Sequence, residues 1–319
     1  MKVFSIFFIL LCITITSVEA QIQDSIPGAP ELVTPKDPDP AKTDTVWRRG
    51  VAFGVNYTNV GLSNWAGGGQ NAMSLTGLFV GTLDYKKTNW EWHNIMDLAY
   101  GFQRLGSSTA PFRKSDDRMY FQSKVSYSTN PKIKYTALTE FRSQFTEGFR
   151  YYDDVKRDSS VLISNIFAPA YLTIALGIDY QPAKNLSIFV SPLTAKYTFV
   201  QDKTLSDAGA YGVTPGKTLR GEYGASILAK YKIDIMKNVS FSTQLYLFNN
   251  YNNVNVDVFW DNFFYLKVNR FLTTTFSTNL IYDDDINVLR DNGTVGPSIQ
   301  FKNVLAVGLV FKLNGYGIR

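Results

Sequence analysis

Cysteine is almost absent. The chain holds one, Cys12, in a segment expected to be removed. A mature chain without cysteine has no disulfide, thiolate metal site or cysteine nucleophile. Histidine is as scarce, with His93 alone. Charge is thin: Asp, Glu, Lys and Arg make up 18% of residues, against about 25% in an average soluble domain. The net charge of +5 is scattered. No Lys/Arg block of the kind that tracks nucleic acid occurs, which sets that partner aside. Beyond the first twenty residues, no apolar run approaches the roughly 20 residues a membrane helix needs. Helical periodicity is nearly absent, and nothing points to a cofactor. What is present is aromatic: 19 Tyr and 23 Phe lift the aromatic share to 15%.

Residues 1–20 have the pattern of a secretory signal. Lys2 gives a basic start, Val3 to Ile15 an apolar run, and Val18-Glu19-Ala20 a small-residue cleavage site. Leu11 stands before Cys12, where a lipoprotein signal would carry a small residue. Residues 21–46 hold Pro27, Pro30, Pro35, Pro38 and Pro40 among Asp, Lys and Thr. Such a stretch cannot bury a core and suits an extended linker. It is expected to be a tail or a tether for a periplasmic partner. The remaining domain is 47–319.

From Val51 onward the sequence alternates with period two. In 222–235, Tyr223, Ala225, Ile227, Ala229, Tyr231, Ile233 and Ile235 share one face, and Glu222, Ser226, Lys230, Lys232 and Asp234 the other. Comparable runs fill 90–103, 272–282 and 299–313. They are longer than the 5–6 residues usual in soluble strands and match the 9–11 a tilted membrane strand needs in hydrocarbon. Strands are expected at 51–60, 72–87, 90–105, 118–129, 133–147, 167–181, 186–200, 220–236, 239–248, 256–268, 271–282 and 298–313. Five short turns alternate with six long loops at 61–71, 106–117, 148–165, 201–219, 249–255 and 283–297. Trp, Tyr and Phe recur near strand ends. The fold class expected is all-β, a twelve-stranded antiparallel up-and-down transmembrane barrel. Its short turns would be periplasmic and its long loops extracellular, placing it in a Gram-negative outer membrane.

Four stretches are distinctive: Gly61 to Asn71, with Trp65 and Gly67-Gly68-Gly69; Asn165 to Tyr171; Ser191-Pro192-Leu193-Thr194 followed by Leu205 to Val213; and Ile281 to Ile286. Together they resemble the "domain of unknown function 3078" family, predicted outer-membrane proteins of Bacteroidota, from about Trp47 to Leu313. The resemblance implies the barrel and its location. It carries no activity and no catalytic or ligand residues.

On the polar face, Glu91, His93, Asp97, Lys124, Glu140, Arg142, Lys196, Glu222, Lys230 and Lys232 are expected to point into the lumen. Arg118, Lys134, Asp179, Asp257 and Asp261 join them. Opposite signs on neighbouring strands allow either a selectivity lining or a salt-bridged filling. Twelve strands fall between the 8 whose interior side chains fill and the 16–18 that leave a channel. A narrow or filled lumen is favoured. His93, grouped with Glu91 and Asp97, would be the base of any hydrolase here. A structural histidine bonded to a carboxylate is the expectation, with no enzyme activity. Asp283-Asp284-Asp285 and Asp153-Asp154 have no EF-hand spacing and are expected to be solvated loop carboxylates, not calcium ligands. Trp65, Gly67, Gly68 and Gly69 are candidates for a loop folding over the mouth. Val304 to Leu313 resembles the strand read by the outer-membrane insertion machinery, although Asn314 to Arg319 extend past it. Lipids and lipopolysaccharide complete the expected partners. The functional expectation is a narrow small-solute channel. The alternatives are a closed scaffold or accessory barrel for envelope assembly or secretion, and a surface hydrolase using His93.

Overall fold

The computed structural model describes residues 47–61, 71–107, 109–154, 157–252, 255–269, 272–283, 288–289 and 294–316. The expected signal and linker, the plug candidates Trp65, Gly67, Gly68 and Gly69, and Asp284 and Asp285 lie outside these residues.

In chain order the strands are β1 (Trp47–Val60), β2 (Ala72–Lys87), β3 (Trp90–Leu105), β4 (Arg113–Asn130), β5 (Ile133–Ser143), β6 (Gly148–Asp154), β7 (Arg157–Ser164), β8 (Ala170–Ala183) and β9 (Leu186–Phe199). Then follow β10 (Leu219–Met236), β11 (Val239–Asn250), β12 (Val256–Lys267), β13 (Leu272–Tyr282), β14 (Val288–Leu289), β15 (Val295–Gly296) and β16 (Gln300–Tyr316). Twelve of them close one barrel in the order β1-β2-β3-β4-β5-β8-β9-β10-β11-β12-β13-β16. The seam is antiparallel, with Val51 opposite Leu313 and Val55 opposite Leu309. Closure leaves no free sheet edge, the condition for a sheet to be stable in hydrocarbon. The barrel strands run from 11 to 18 residues, long enough to cross it.

Alternation sets which face is which. Along β5, Lys134, Thr136, Leu138 and Glu140 are buried while Ile133 and Tyr135 are exposed. The barrel is therefore inverted relative to a soluble protein, polar inside and apolar outside. Its outer wall carries aromatics at the short-turn end, with Trp47 packed on Tyr85 at 4.9 Å between ring centres and Trp90 on Tyr127 at 5.0 Å. At the long-loop end, Tyr197 meets Tyr223, their hydroxyls 3.0 Å apart. Outward indoles find donors' partners on the wall: Trp92 Nε1 donates to Ser123 Oγ at 2.8 Å, and Trp260 Nε1 to Thr243 Oγ1 at 2.9 Å.

The long connections depart from the simple loops expected. Strand β4 begins at Arg113, five residues before the expected 118, and β5 stops at Ser143, short of 147. Asp117 explains the second difference. Its carboxylate accepts from the backbone N–H groups of Phe145 (2.7 Å) and Thr146 (2.9 Å), which turns the chain out of the sheet. The 148–165 connection is a hairpin, β6 with β7. The 201–219 connection contains helix α1 (Lys203–Asp207), capped by Asp202, and a 3-10 turn at Ala210–Gly212. Ala168, Val200, Leu205 and Val213 bury a small core among these connections.

Candidate functional site

A polar interior brings carboxylates out of water, and a buried charge is costly unless it is paired. From its middle to its long-loop mouth, the lumen is built on such pairs. Glu140 of β5 accepts from Tyr120 Oη at 2.9 Å and from Arg142 Nη2 at 2.8 Å, and also from the Gln122 amide. Arg118 of β4 donates to Asp97 of β3 at 3.1 Å. Asn279 of β13 donates to Asp261 of β12 at 2.8 Å. Lys196 of β9 reaches beyond its neighbour on the wall. Its ammonium reaches Asp257 of β12 at 2.9 Å and Asp283, after β13, at 3.5 Å, and Glu222 of β10 lies 3.7 Å away. Neighbouring strands sit about 4.8 Å apart, so a bond from β9 to β12 is a chord through the interior. Beneath it, seven consecutive barrel strands, β5 and β8 to β13, contribute Leu138, Ala175, Phe189, Leu228, Tyr246, Phe248, Phe259 and Ile281 to one buried apolar cluster. Lys196 Nζ lies over the Phe248 ring at 5.4 Å. A cavity of about 30 Å³ remains among Glu140, Arg142, Lys196 and Asp283, room for little more than a water molecule.

Toward the short turns the interior opens. Two cavities of about 320 and 310 Å³ share His93, Lys124 and Gln181 and form one vestibule. On one side, Glu91 sits between Lys86 (2.7 Å) and Lys134. Lys124 donates to Asp179 at 2.7 Å, which also accepts from Ser187 at 2.6 Å and Gln181 at 2.9 Å. His93 Nδ1 is bonded to Asp84 of β2. Arg48 completes this side. The other side adds Lys184, Lys230 and Lys232. The vestibule thus has seven cationic side chains lining it against three carboxylates, Asp84, Glu91 and Asp179.

The ten sequence-predicted lumen residues fall into two groups. Asp97, Glu140, Arg142, Lys196 and Glu222 belong to the closed middle. Glu91, His93, Lys124, Lys230 and Lys232 line the vestibule. His93 has a carboxylate partner, but it is Asp84 rather than Glu91 or Asp97. Asp84 was recoverable from the sequence: a turn at Thr88-Asn89 sets Asp84 opposite His93 and Lys86 opposite Glu91. Asp117 falls in the expected 106–117 loop but lies in β4, and alternation does not mark it. Asp283 is 3% exposed and bonded to Lys196, which corrects its expectation as a solvated loop carboxylate. It lies at the mouth of the barrel where β13 ends, and the lysine opposite pulls it in. Asp153 and Asp154 lie in β6, opposite Asp158 and Arg157.

Among solved structures, the translocator domain of the autotransporter NalP from Neisseria meningitidis is similar at 8% identity and a TM-score of 0.40, covering 85% of this chain and 90% of that one. The COG4313 outer membrane channel from Pseudomonas putida F1 is similar at 10% identity and 0.38, over 88% of this chain and 100% of that one. The NanC porin is similar at 10% identity and 0.36, over 83% and 100%. These are likenesses of barrel to barrel, and no activity passes through them. No curated protein matches the chain. Over residues 57–149, from within β1 to the start of β6, the chain matches the family described as "Protein of unknown function (DUF3078)", which bears out the resemblance read from the sequence on that stretch.

Proposed function

We propose that the protein is an outer-membrane barrel that stands closed, acting as a scaffold or accessory subunit in envelope assembly or secretion rather than as an open small-solute channel. One observation carries this. On the inner wall, Asp97, Asp257 and Asp261 are exposed by no more than 1%. The lining of a water-filled passage stays in water. These carboxylates are instead covered by the cross-lumen lysine, the arginines and the apolar cluster. The exterior supports the location: Leu305 (69% exposed), Leu193 (65%) and Tyr135 (59%) belong to an apolar outer wall that suits hydrocarbon. Lipids would cover that wall and lipopolysaccharide the long-loop rim. The insertion machinery would deliver the chain. Residues 21–46, leading into β1 at the short-turn end, would reach a periplasmic partner. His93 serves as half of a structural pair with Asp84, without catalysis.

Liposome swelling tests the proposal. Vesicles carrying the folded barrel, transferred to isotonic arabinose, are expected to swell no faster than protein-free vesicles. Swelling that rises with protein content and falls with sugar size would overturn it.

A further inference from the structure

We infer that the outer wall of β1 to β5 carries a site for one anionic phospholipid, with an acyl chain in a groove of the wall and the phosphate at Arg49. The first ground is shape. A groove of about 470 Å³ crosses these five strands, within the range of ligand sites, about 300–1,000 Å³. Gly81, Asn94, Ser123 and Thr139 form its floor, and Phe79, Phe121 and Phe141 stand over it. These residues belong to the outward series of their strands, the series of the exposed Leu83, Trp92 and Phe121. The floor is low because Gly81 has no side chain and the others there are small. Its polar groups are taken up within the wall. The Asn94 amide donates to the Leu83 carbonyl oxygen at 3.0 Å, and Ser123 Oγ accepts from the Trp92 indole at 2.8 Å. What remains is an apolar trough that faces hydrocarbon and suits an acyl chain.

The second ground is charge at the groove's short-turn side. Arg49 adjoins Gly50 of the lining and stands in register opposite Leu83. It belongs to the outward series of Phe53 and Val55, whereas Arg48 lines the vestibule. Arg49 is exposed, and its side chain has no bonded partner among the described residues. A cation on a lipid-facing wall is costly away from the interface. Its long stem lets the guanidinium snorkel to headgroup level, where a phosphate offers two acceptors to its fork. Trp47 marks that level beside it, packed on Tyr85 and 6.0 Å from Trp92 between ring centres. Around this end, each of the five short turns carries or adjoins an exposed lysine, Lys87, Lys132, Lys184, Lys237 or Lys267. None of the turns contains a carboxylate, and Asp234 is the exposed one nearby. A zwitterionic headgroup brings its own ammonium, so the arrangement favours a headgroup whose phosphate charge is left uncompensated. The inference rests on the wall meeting lipid and not on the closed lumen, so a conducting barrel would leave it standing.

The test is quenching of tryptophan fluorescence in the full chain folded into phosphatidylcholine vesicles. Trp65→Phe and Trp260→Phe leave Trp47, Trp90 and Trp92, all at the short-turn end, as reporters. Phosphatidylglycerol with brominated acyl chains replaces the host lipid in steps, and brominated phosphatidylcholine is the reference. The anionic lipid is expected to quench as though enriched about fivefold at the wall, the effect of one cation near an anionic headgroup. The enrichment should fall with added salt. Arg49→Gln is expected to remove it and to leave quenching by brominated phosphatidylcholine unchanged, while Arg49→Lys, which keeps the charge, retains it. Gly81→Leu fills the groove without a backbone clash, since the nearest atom to a Cβ there is on the Phe79 ring at 3.4 Å. It is expected to lower quenching by both lipids. Lys203→Gln, which removes an exposed lysine at the opposite mouth, is expected to change nothing. Equal quenching by the two lipids before Arg49 is altered, or enrichment that survives Arg49→Gln, would overturn the inference. Quenching by neither lipid, with a dimer found by sedimentation, would give the groove to a second copy of the chain and overturn it as well.

Discussion

At the residue scale, Lys196 holds most together. Three carboxylates from three elements converge on its ammonium, and its side chain is buried. Removing one partner of a buried ion pair leaves the others uncompensated, at a cost of about 3–5 kcal/mol. Lys196→Met keeps the stem and deletes the charge. It is expected to lower the temperature at which the barrel loses its compact migration on gels. An unchanged transition would mean that water already solvates these carboxylates. The sequence marked Lys196 as a lumen cation by its alternation alone. Its partners across the lumen, Asp257 and Asp283, were not legible, since a chord from β9 to β12 depends on barrel curvature and not on neighbouring positions. The His93–Asp84 and Glu91–Lys86 pairs are the opposite case. Counting back from the turn at Thr88-Asn89 finds both.

At the scale of elements, two devices shape the wall and the mouth. Strand β9 carries an extra residue around Ser191-Pro192-Leu193-Thr194, where the register shifts against both β8 and β10. Ser191 Oγ reaches the carbonyl oxygens of Leu176 (2.9 Å) and Leu193 (3.0 Å), and Thr194 Oγ1 links Ser191 to Ser226 of β10. The bulge presses on β8, where a Cβ at Gly177 would lie 2.0 Å from the Val190 carbonyl oxygen. Gly177→Ala is expected to cost about 1–3 kcal/mol, read as earlier unfolding in urea. Stability equal to that of the unaltered protein would show that the wall yields there. The sequence offered Ser191 to Thr194 as a family resemblance. The bulge is its physical content.

The second device is the folded connection after β9. Asp202 caps α1 by accepting from Leu205 N–H, and it also accepts from the Asn165 amide. The Asn165 bond first and then the backbone N–H hold the Asp202 carboxyl below the usual aspartate range. Its contribution to order is therefore present above pH about 4 and lost as the pH falls through that lowered value. Asp202→Ala is expected to cost about 1 kcal/mol locally, seen as faster hydrogen exchange at 204–208 with barrel strands unaffected. Acidification of the unaltered protein should reproduce it. Exchange equal to that of the unaltered protein would remove the cap from the account. Period-two reading could not find α1, because five residues are too few to show a helical repeat.

At the scale of the whole molecule, closure and charge layering stand out. Twelve strands of alternating residues made the barrel legible, including its inversion and most strand ends. What the lumen does was not legible. Side chains alternate inward and outward along each strand in the same way whether the interior is dry or wet, and only the chords across it decide. Those chords divide the interior into a closed middle, where opposite charges meet, and a cationic vestibule at the short-turn end. The inside thus differs at its two mouths while the apolar outer wall is continuous.

The closed middle is the central claim, and ion current reads it most directly. The mature chain, refolded and inserted singly into a planar bilayer with folding confirmed by heat-modifiable migration, should give no steady conductance in molar potassium chloride. Long-lived steps of uniform size that scale with salt would contradict it, because they would require a continuous aqueous path past Lys196, Asp257 and Phe248.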